Sequence, residues 1–295
     1  MTRRARPVTP PPPPPAPAPA PAHRFSDTVG PRGVAVDAAG NIYAADQGAN
    51  RVVKLAPNGD VVARLGQGLE VLARLAVDGQ GSIWVTEFAS SRVTRLSATG
   101  ERISAFGGPG NAPGRLQGPR GIALDAAADV YVADLGNHRV QKFSAGGQSL
   151  MVVGGFGAGV GQFQEPSDVA VDAQGNIYVA DTGNNRVQKL APTGAPLAQW
   201  GSLAGPHGIA LDAQGNIYVA EADAARITKL SPTGAVMLRA GAPGSAPGQL
   251  KNPTGVALDA QGNIYVAESV PPSGSACTCR VQKFSPAGEL LATWR

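Results

Sequence analysis

Six carboxylate–arginine pairs recur along this sequence and are its most regular chemically active feature. The acid precedes the arginine by five residues in five pairs and by twelve in the sixth. The pairs are Asp46–Arg51, Glu87–Arg92, Asp134–Arg139, Asp181–Arg186, Glu221–Arg226 and Glu268–Arg280. Six carboxylates could hold a metal ion or act in acid–base chemistry. Because each acid has its own arginine, which keeps both groups charged and holds the intervening loop, we expect structural ion pairs, with no metal and no cofactor.

Histidine and cysteine offer few further metal ligands. The histidines are His23, His138 and His207, of which only His207 falls at one of the rim positions described below. A catalytic zinc ion needs about three protein ligands, so this count is too low. Cys277 and Cys279 lie in the long segment between Glu268 and Arg280, and a disulfide across one residue would be strained and easily reduced. We interpret the two cysteines as surface thiols, with a redox-sensitive clip or an interchain bridge as the alternative.

A repeat of 40 to 47 residues positions these groups. Each copy has an Asp that closes its first apolar run, and successive copies are 41, 47, 47, 40 and 47 residues apart. These residues are Asp37, Asp78, Asp125, Asp172, Asp212 and Asp259. Each copy contains four short apolar runs separated by turns rich in Asp, Asn, Gly and Pro. A period of this length, built from short strands, predicts the blades of a β-propeller.

The second run of the repeat indicates what surrounds each sheet. In Asn176–Ala180, alternation puts Ile177 and Val179 on one face and Tyr178 and Ala180 on the other. Neither face is polar, and radially stacked sheets are able to cover both. The aromatic position recurs in every copy, at Tyr43, Trp84, Tyr131, Tyr178, Tyr218 and Tyr265. We therefore predict an all-β, six-bladed β-propeller of four-stranded antiparallel blades, with no strand exchanged between the termini.

The domain boundary follows from composition. Residues 7–21 carry ten of the 26 prolines and favour polyproline II, so residues 1–24 are predicted to be a disordered Pro/Ala-rich spacer. The propeller is expected over residues 25–295, with repeats at about 31–66, 73–107, 119–155, 166–201, 206–241 and 253–295. Residues 1–6 are basic, but no apolar segment of a secretory signal follows them. We expect a cell-envelope location only if an export segment lies upstream of this sequence, and a cytoplasmic location otherwise.

Net charge argues against nucleic acid as a partner. The formal charge of +4 comes from Arg3, Arg4, Arg6 and Arg24, because the remaining chain has 21 basic and 21 acidic residues. A neutral propeller provides no general attraction for phosphate backbones. No stretch approaches the roughly 20 apolar residues needed to span a bilayer, so we predict no transmembrane segment. The propeller is expected to be a monomer.

The repeats resemble a known family. The segments GNIYVADTGNNRVQKL, GVALDAQGNIYVAES and DVYVADLGNHRVQKF are similar to NHL repeats, which form six-bladed propellers, and the resemblance covers residues 33–295. Gly81–Glu87 and Glu221 depart from the usual phrase and are more distantly similar to repeats of the streptogramin lyase family. In the third copy, Ala128 and Asp129 replace the usual Gly-Asn, so we expect a less regular turn there.

The propeller architecture predicts a binding surface at the mouth of its central channel. One variable residue should precede each innermost strand and surround the mouth: Arg32, Ala73, Arg120, Ser167, His207 and Thr254. Loops on a rigid scaffold commonly carry binding sites. Two arginines, a histidine and two hydroxyls would suit a small anionic or polar group. We predict non-catalytic recognition of a protein, peptide or glycan by this ring, with His138 in a neighbouring loop.

The alternative is a metal-assisted lyase or hydrolase. The resemblance to streptogramin lyase implies an elimination with a histidine base, for which His207 is the candidate. Such a site needs a second histidine and an unpaired glutamate on the same rim. Glu87, Glu221 and Glu268 already have arginine partners in the sequence pattern. The sequence therefore favours binding over catalysis.

Overall fold

The computed structural model describes residues 30–269 and 279–295, which form six four-stranded antiparallel sheets around a channel. Blades one to three comprise β1 (Pro31–Val36), β2 (Ile42–Asp46), β3 (Arg51–Leu55), β4 (Val61–Leu65), β5 (Leu72–Val77), β6 (Ile83–Glu87), β7 (Arg92–Leu96), β8 (Arg102–Gly107), β9 (Pro119–Leu124), β10 (Val130–Asp134), β11 (Arg139–Phe143) and β12 (Ser149–Gly154). Blades four to six comprise β13 (Pro166–Val171), β14 (Ile177–Asp181), β15 (Arg186–Leu190), β16 (Pro196–Trp200), β17 (Pro206–Leu211), β18 (Ile217–Glu221), β19 (Arg226–Leu230), β20 (Val236–Ala240), β21 (Pro253–Leu258), β22 (Ile264–Glu268), β23 (Arg280–Phe284) and β24 (Leu290–Trp294). The predicted fold class is confirmed.

Each sheet contains four strands that are consecutive in the described chain, so no strand is exchanged there. Phe25–Thr28 and the predicted spacer at residues 1–24 lie outside the described residues. Three short 3-10 helices, Gln47–Ala49, Leu135–Asn137 and Thr182–Asn184, lie between the second and third strands of blades one, three and four. No helix in the described ranges is long and apolar enough to cross a membrane.

The two faces of each second strand pack against different neighbours, as the alternation predicts. Ile177 and Val179 lie in a core with Tyr131 of blade three. Tyr178, on the opposite face, lies in a core with Ile217 of blade five. The ring closes in the same way, because one core contains Ile42 and Ala44 of blade one together with Tyr265 and Trp294 of blade six. Burial of apolar surface between blades therefore holds the ring together.

The aspartate after each first strand organises the following turn. Asp172 Oδ1 accepts hydrogen bonds from the backbone nitrogens of Gln174 (3.0 Å) and Asn176 (2.8 Å). The prediction of an irregular turn in the third copy was wrong. Ala128 adopts the left-handed conformation, with φ of 62°, and Asp129 N still donates to Asp125 at 2.9 Å. The turn pattern thus tolerates Ala where most copies have Gly, at a conformational cost of about 1 kcal/mol.

The unequal repeat intervals arise in the links, defined here as the segments from one blade's outermost strand to the next blade's innermost strand. Links of residues 108–118, 155–165 and 241–252 are long, and those of 66–71 and 201–205 are short. A glutamine on the third strand holds each long link. Gln188 Nε2 donates to Gln162 O at 2.6 Å, and its Oε1 accepts from Gly161 N at 2.9 Å. Gln141 and Gln282 make the equivalent bonds.

Candidate functional site

The six acids at the ends of the second strands are buried and lie beside their arginines. The shortest nitrogen–oxygen distances are 3.1, 2.7, 2.8, 2.7, 2.9 and 2.7 Å, in chain order. Five of these acids also accept a backbone N–H from the preceding link, as Glu221 does from Ala204 at 2.7 Å. Within the described ranges, no group of three or more His, Cys, Asp or Glu residues could hold a metal ion. The carboxylates therefore fasten links and loops.

The predicted rim positions lie inside the innermost strands rather than before them. β1, β5, β9, β13, β17 and β21 each begin one residue earlier, so each rim residue is the second of its strand. This corrects the predicted position. The mouth is a small cavity of about 50 Å³. Its lining residues are Arg32, Ala73, Arg74, Arg120, His207, Asn252 and Thr254.

The sequence reasoning missed two lining residues, Asn252 and, at the centre of the charge arrangement, Arg74. It occupies a slot that holds Gly in four repeats, at Gly33, Gly121, Gly208 and Gly255, and Asp in the fourth repeat. The Arg74 guanidinium lies across the channel, with Nη1 3.5 Å from Asp168 Oδ2 and Nη2 donating to His207 O at 2.7 Å. Nη2 also donates to Thr254 O. The sequence feature that could have identified this ion pair is the presence of Arg74 and Asp168, with opposite charges, at a position where the other four repeats have Gly.

Asp168 is the buried counterion of Arg74. Its carboxylate accepts backbone hydrogen bonds from Val169 and Ile209, each at 3.0 Å. Burial raises the pKa of Asp168, whereas the Arg74 charge and these two N–H groups act to lower it. Through these bonds the pair connects blades two, four, five and six, and its Arg74 side chain lines the mouth as a floor.

The mouth is strongly basic above this floor. The Nε atoms of Arg32 and Arg120 are buried and have no hydrogen-bond partner among the described residues. Burial, together with the charges of Arg32 and Arg74, lowers the pKa of Arg120 to about 10. Burial and the charges of Arg120, Arg74 and Arg32 lower the pKa of His207 to about 4. At neutral pH the arginines are charged and His207 is neutral.

The two predicted hydroxyl residues are used within the frame. Ser167 is fully buried, and its Oγ donates to His207 O at 2.8 Å. Thr254 lines the cavity, but its Oγ1 donates to Arg32 O at 3.0 Å. Ser167 is absent from the cavity lining. Both hydroxyls thus join neighbouring blades, and the anion-attracting groups of the mouth are the arginines.

His138 is not among the residues that line the mouth. It adopts the left-handed conformation with φ of 54°, and its Nδ1 accepts from Glu165 N at 3.0 Å. Asn185 occupies the same position in blade four and accepts from Gly205 N in the same way. The His138 ring lies 4.9 Å from the ring of Phe156, which is 67% exposed. His138 therefore holds a link and supports an exposed aromatic residue on the rim.

The predicted redox pair lies only partly within the described residues. Cys279 is buried, and a Cβ built on Gly30 would lie 2.5 Å from its Cβ, so the two segments are in close contact. Cys277 lies outside the described residues. Cys279 is buried and disulfide-bonded, so the interpretation of this residue as a surface thiol was wrong. A redox role for the pair stays a prediction.

The fold and the site define a six-bladed β-propeller with a basic channel mouth closed by a buried ion pair. The chain belongs to the virginiamycin B lyase family, whose model matches residues 23–240. This agrees with the more distant of the two resemblances inferred from sequence. The assignment to NHL repeats in the narrow sense stays a prediction.

Solved structures share the fold. One described as a streptogramin B lyase structure has 17% identity and a TM-score of 0.66, covering 92% of this chain and 85% of that chain. A gluconolactonase from Xanthomonas campestris has 15% identity and a TM-score of 0.66, covering 91% and 88%. A chain of a nidogen/laminin complex has 18% identity and a TM-score of 0.64, covering 84% and 90%. No curated protein matches the chain significantly. At these identities the likeness concerns the fold, which serves both enzymes and binding proteins.

Proposed function

We propose that this protein is a non-catalytic binding propeller that recognises a protein, peptide or glycan through the rim around its channel mouth. The observation that carries the proposal is the composition of the mouth. Arg32, Arg74 and Arg120 line it together with His207, and the buried carboxylate of Asp168 is paired with Arg74. This set of groups attracts an anion and repels a divalent cation.

The same groups argue against metal-assisted elimination. Metal-assisted chemistry needs oxygen or nitrogen ligands with room for a cation, and a base whose pKa lies near the working pH. The pKa of about 4 makes His207 a weak base, because burial and three arginines disfavour its protonation. Glu87, Glu221 and Glu268, the candidate general acids or ligands, are fully buried beside arginines.

The dimensions of the site support a ligand that rests on the rim. A cavity of about 50 Å³ has room for only one small group of a ligand. The link of residues 155–165 exposes Phe156 (67%) and Val160 (63%). Its last residue, Glu165, acts electrostatically on Arg120, which lines the mouth. An anionic group in the mouth and apolar contacts on the link are together consistent with recognition of a larger molecule.

Arrays of acidic and neutral peptides and glycans test the proposal. We expect the full chain to retain acidic members, and Arg120→Glu to abolish that retention. Arg239→Glu is the matched control, because Arg239 is exposed on β20. Phe156→Ser should weaken retention, whereas Leu197→Ser, which replaces another exposed apolar residue (55%) on β16, should not. Retention that is the same in the wild type and in Arg120→Glu would contradict the proposal.

The family assignment supplies the competing function. One related structure is of a virginiamycin B lyase with quinupristin, so this compound is a suitable probe. We expect no elimination product on incubation with divalent metal ions, as measured by mass spectrometry. Product formation that needs a stoichiometric metal and disappears in His207→Ala would establish catalysis and overturn the proposal.

A further inference from the structure

We propose that the channel mouth is an anchoring site for a single phosphate group, bound as a dianion between Arg32 and Arg120. This inference rests on the proposed binding function and names the chemistry that the mouth selects. Three features of the described residues support it: unpartnered arginine nitrogens, an excess of positive charge and a closed, small space.

The first feature is the hydrogen-bonding state of the two arginines. The buried Nε–H groups of Arg32 and Arg120 have no acceptor among the described residues. An unsatisfied buried donor is costly and uncommon in folded proteins. Among the other interior arginines, Arg74 donates to two carbonyls, and Arg139 and Arg186 donate to carboxylates. Arg95 Nε is also buried without an acceptor, but Arg95 Nη2 donates to Asp78 and Ser82. An oxyanion between Arg32 and Arg120 would supply the missing acceptors, in charge-assisted bonds.

The second feature is the charge balance of the mouth. Arg74 is neutralised by Asp168 at 3.5 Å, which leaves Arg32 and Arg120 as two uncompensated positive charges. His207 adds none at neutral pH, because its pKa is about 4. Glu165 acts on Arg120 but is exposed to solvent, so its effect is screened. A group with two negative charges balances the two arginines, whereas a carboxylate would leave one charge unbalanced.

The third feature is the shape of the space. The cavity volume of about 50 Å³ is roughly three to five times the 10–15 Å³ that one ordered water requires. It therefore suits a group of about five heavy atoms, such as a phosphate. The Arg74–Asp168 pair lies across the channel beneath it. A bound group must enter from the rim, with the remainder of its molecule outside the mouth.

Calorimetry on the full chain at pH 7.5 tests the inference, with inorganic phosphate and acetate as probes. We expect phosphate to bind and acetate to bind at least about tenfold more weakly, a difference of about 1.4 kcal/mol. Arg32→Gln and Arg120→Gln should each weaken phosphate binding at least about tenfold, since each removes one charge-assisted partner. Arg239→Gln, on the outer strand β20, should bind like the wild type. Acetate binding as tightly as phosphate, or variants that bind like the wild type, would overturn the inference.

A measurement on the unaltered protein guards against misfolded variants. A phosphate monoester loses its second charge below a pKa of about 6, so affinity for O-phosphoserine should fall between pH 7.5 and pH 5. Burial and three arginines lower the pKa of His207 to about 4, so most of its imidazole is neutral across this range. Affinity that is constant or rises toward pH 5 would contradict a dianion site. Parallel titrations with a phosphoserine peptide and with glucose 6-phosphate then distinguish a peptide from a sugar as the carrier of the group.

Failure of this inference is distinguishable from failure of the proposed function. If acidic array members are retained but phosphate does not bind, the phosphate site is wrong and the binding function stands. If quinupristin is turned over, the binding function is wrong whatever the phosphate titration shows.

Discussion

Removing Arg280 should destabilise the propeller far more than removing the equivalent arginine of blade five. The Arg280–Glu268 pair is fully buried, with both side chains 0% exposed and Nε 2.7 Å from Oε1. Arg280 also donates to the link carbonyls of Ser245 (2.8 Å) and Gln249 (2.7 Å). Leaving one buried partner uncompensated costs about 3–5 kcal/mol. Two lost bonds to carbonyls add about 1 kcal/mol each. We expect Arg280→Met to lower the free energy of unfolding by about 5–7 kcal/mol.

Arg226→Met is the matched control. Arg226 is 27% exposed, and among the described residues its guanidinium donates only to Glu221. Solvent reaches the Arg226 side chain, although Glu221 is buried, and no link carbonyl depends on this pair, so the expected loss is about 1–2 kcal/mol. Urea unfolding followed by tryptophan fluorescence measures both losses. Burial raises the pKa of Glu268 above its ordinary value even beside Arg280, so the Arg280→Met defect should shrink as the pH falls and the acid protonates.

A double variant completes the test. Glu268→Gln removes the uncompensated charge, so Arg280→Met combined with Glu268→Gln should be about 2 kcal/mol more stable than Arg280→Met alone. Equal losses for Arg280→Met and Arg226→Met would refute the argument from burial. A double variant less stable than Arg280→Met alone would refute the argument from uncompensated charge.

Three further predictions concern the channel. Gly121→Ala should cost more than about 2 kcal/mol, because its Cβ would lie 2.4 Å from Asp168 Cα, whereas Gly201→Ala has open space and should be near neutral by urea unfolding. Arg74→Met should cost about 3–5 kcal/mol, and Asp168→Asn should restore part of the loss, because it removes the buried charge that Arg74 had balanced. By NMR, His207 should titrate near its folded-state pKa of about 4. Because this pKa lies below the ordinary histidine value of about 6.5, the stability that neutral His207 contributes is present above about pH 6.5 and is lost as the pH falls through 4.

The blades could be predicted from sequence because their determinants are local and repeated. Asp172 and Asn176 define a turn whose hydrogen bonds join residues two and four positions apart. The alternation around Tyr178 requires two apolar neighbours, and a ring of equal sheets provides them. From the sequence, the differences in link length were visible only as unequal intervals between repeats. A glutamine on the third strand, such as Gln188, holds each long link. Gln188 bonds a residue 26 positions away, so no local sequence pattern predicts this contact.

The side chains at the mouth were harder to predict because the innermost strand of each blade contains a register shift near its start. The first strand of blade four pairs Pro166 with Asp181 and Asp168 with Ala180, so the pairing is irregular between them. Such bulges re-aim side chains, and strict alternation no longer gives their direction. Ser167 therefore turns into the interface between blades and donates to His207 O. Position in the repeat located the ring of residues, but it could not distinguish a lining side chain from a buried one.

The glycine slot explains why Arg74 and Asp168 occur together. A Cβ on Gly121 would lie 2.4 Å from Asp168 Cα, and one on Gly208 would lie 2.7 Å from Thr254 O, so the innermost strands approach too closely for side chains at most of these positions. Six side chains could not fit at one level of the axis, but one long side chain can cross it if the facing positions are empty. A lone arginine there would be a buried, uncompensated cation, which is strongly unfavourable. One opposite charge across the channel therefore makes the arrangement stable, and the two unpaired arginines above it remain available to a ligand.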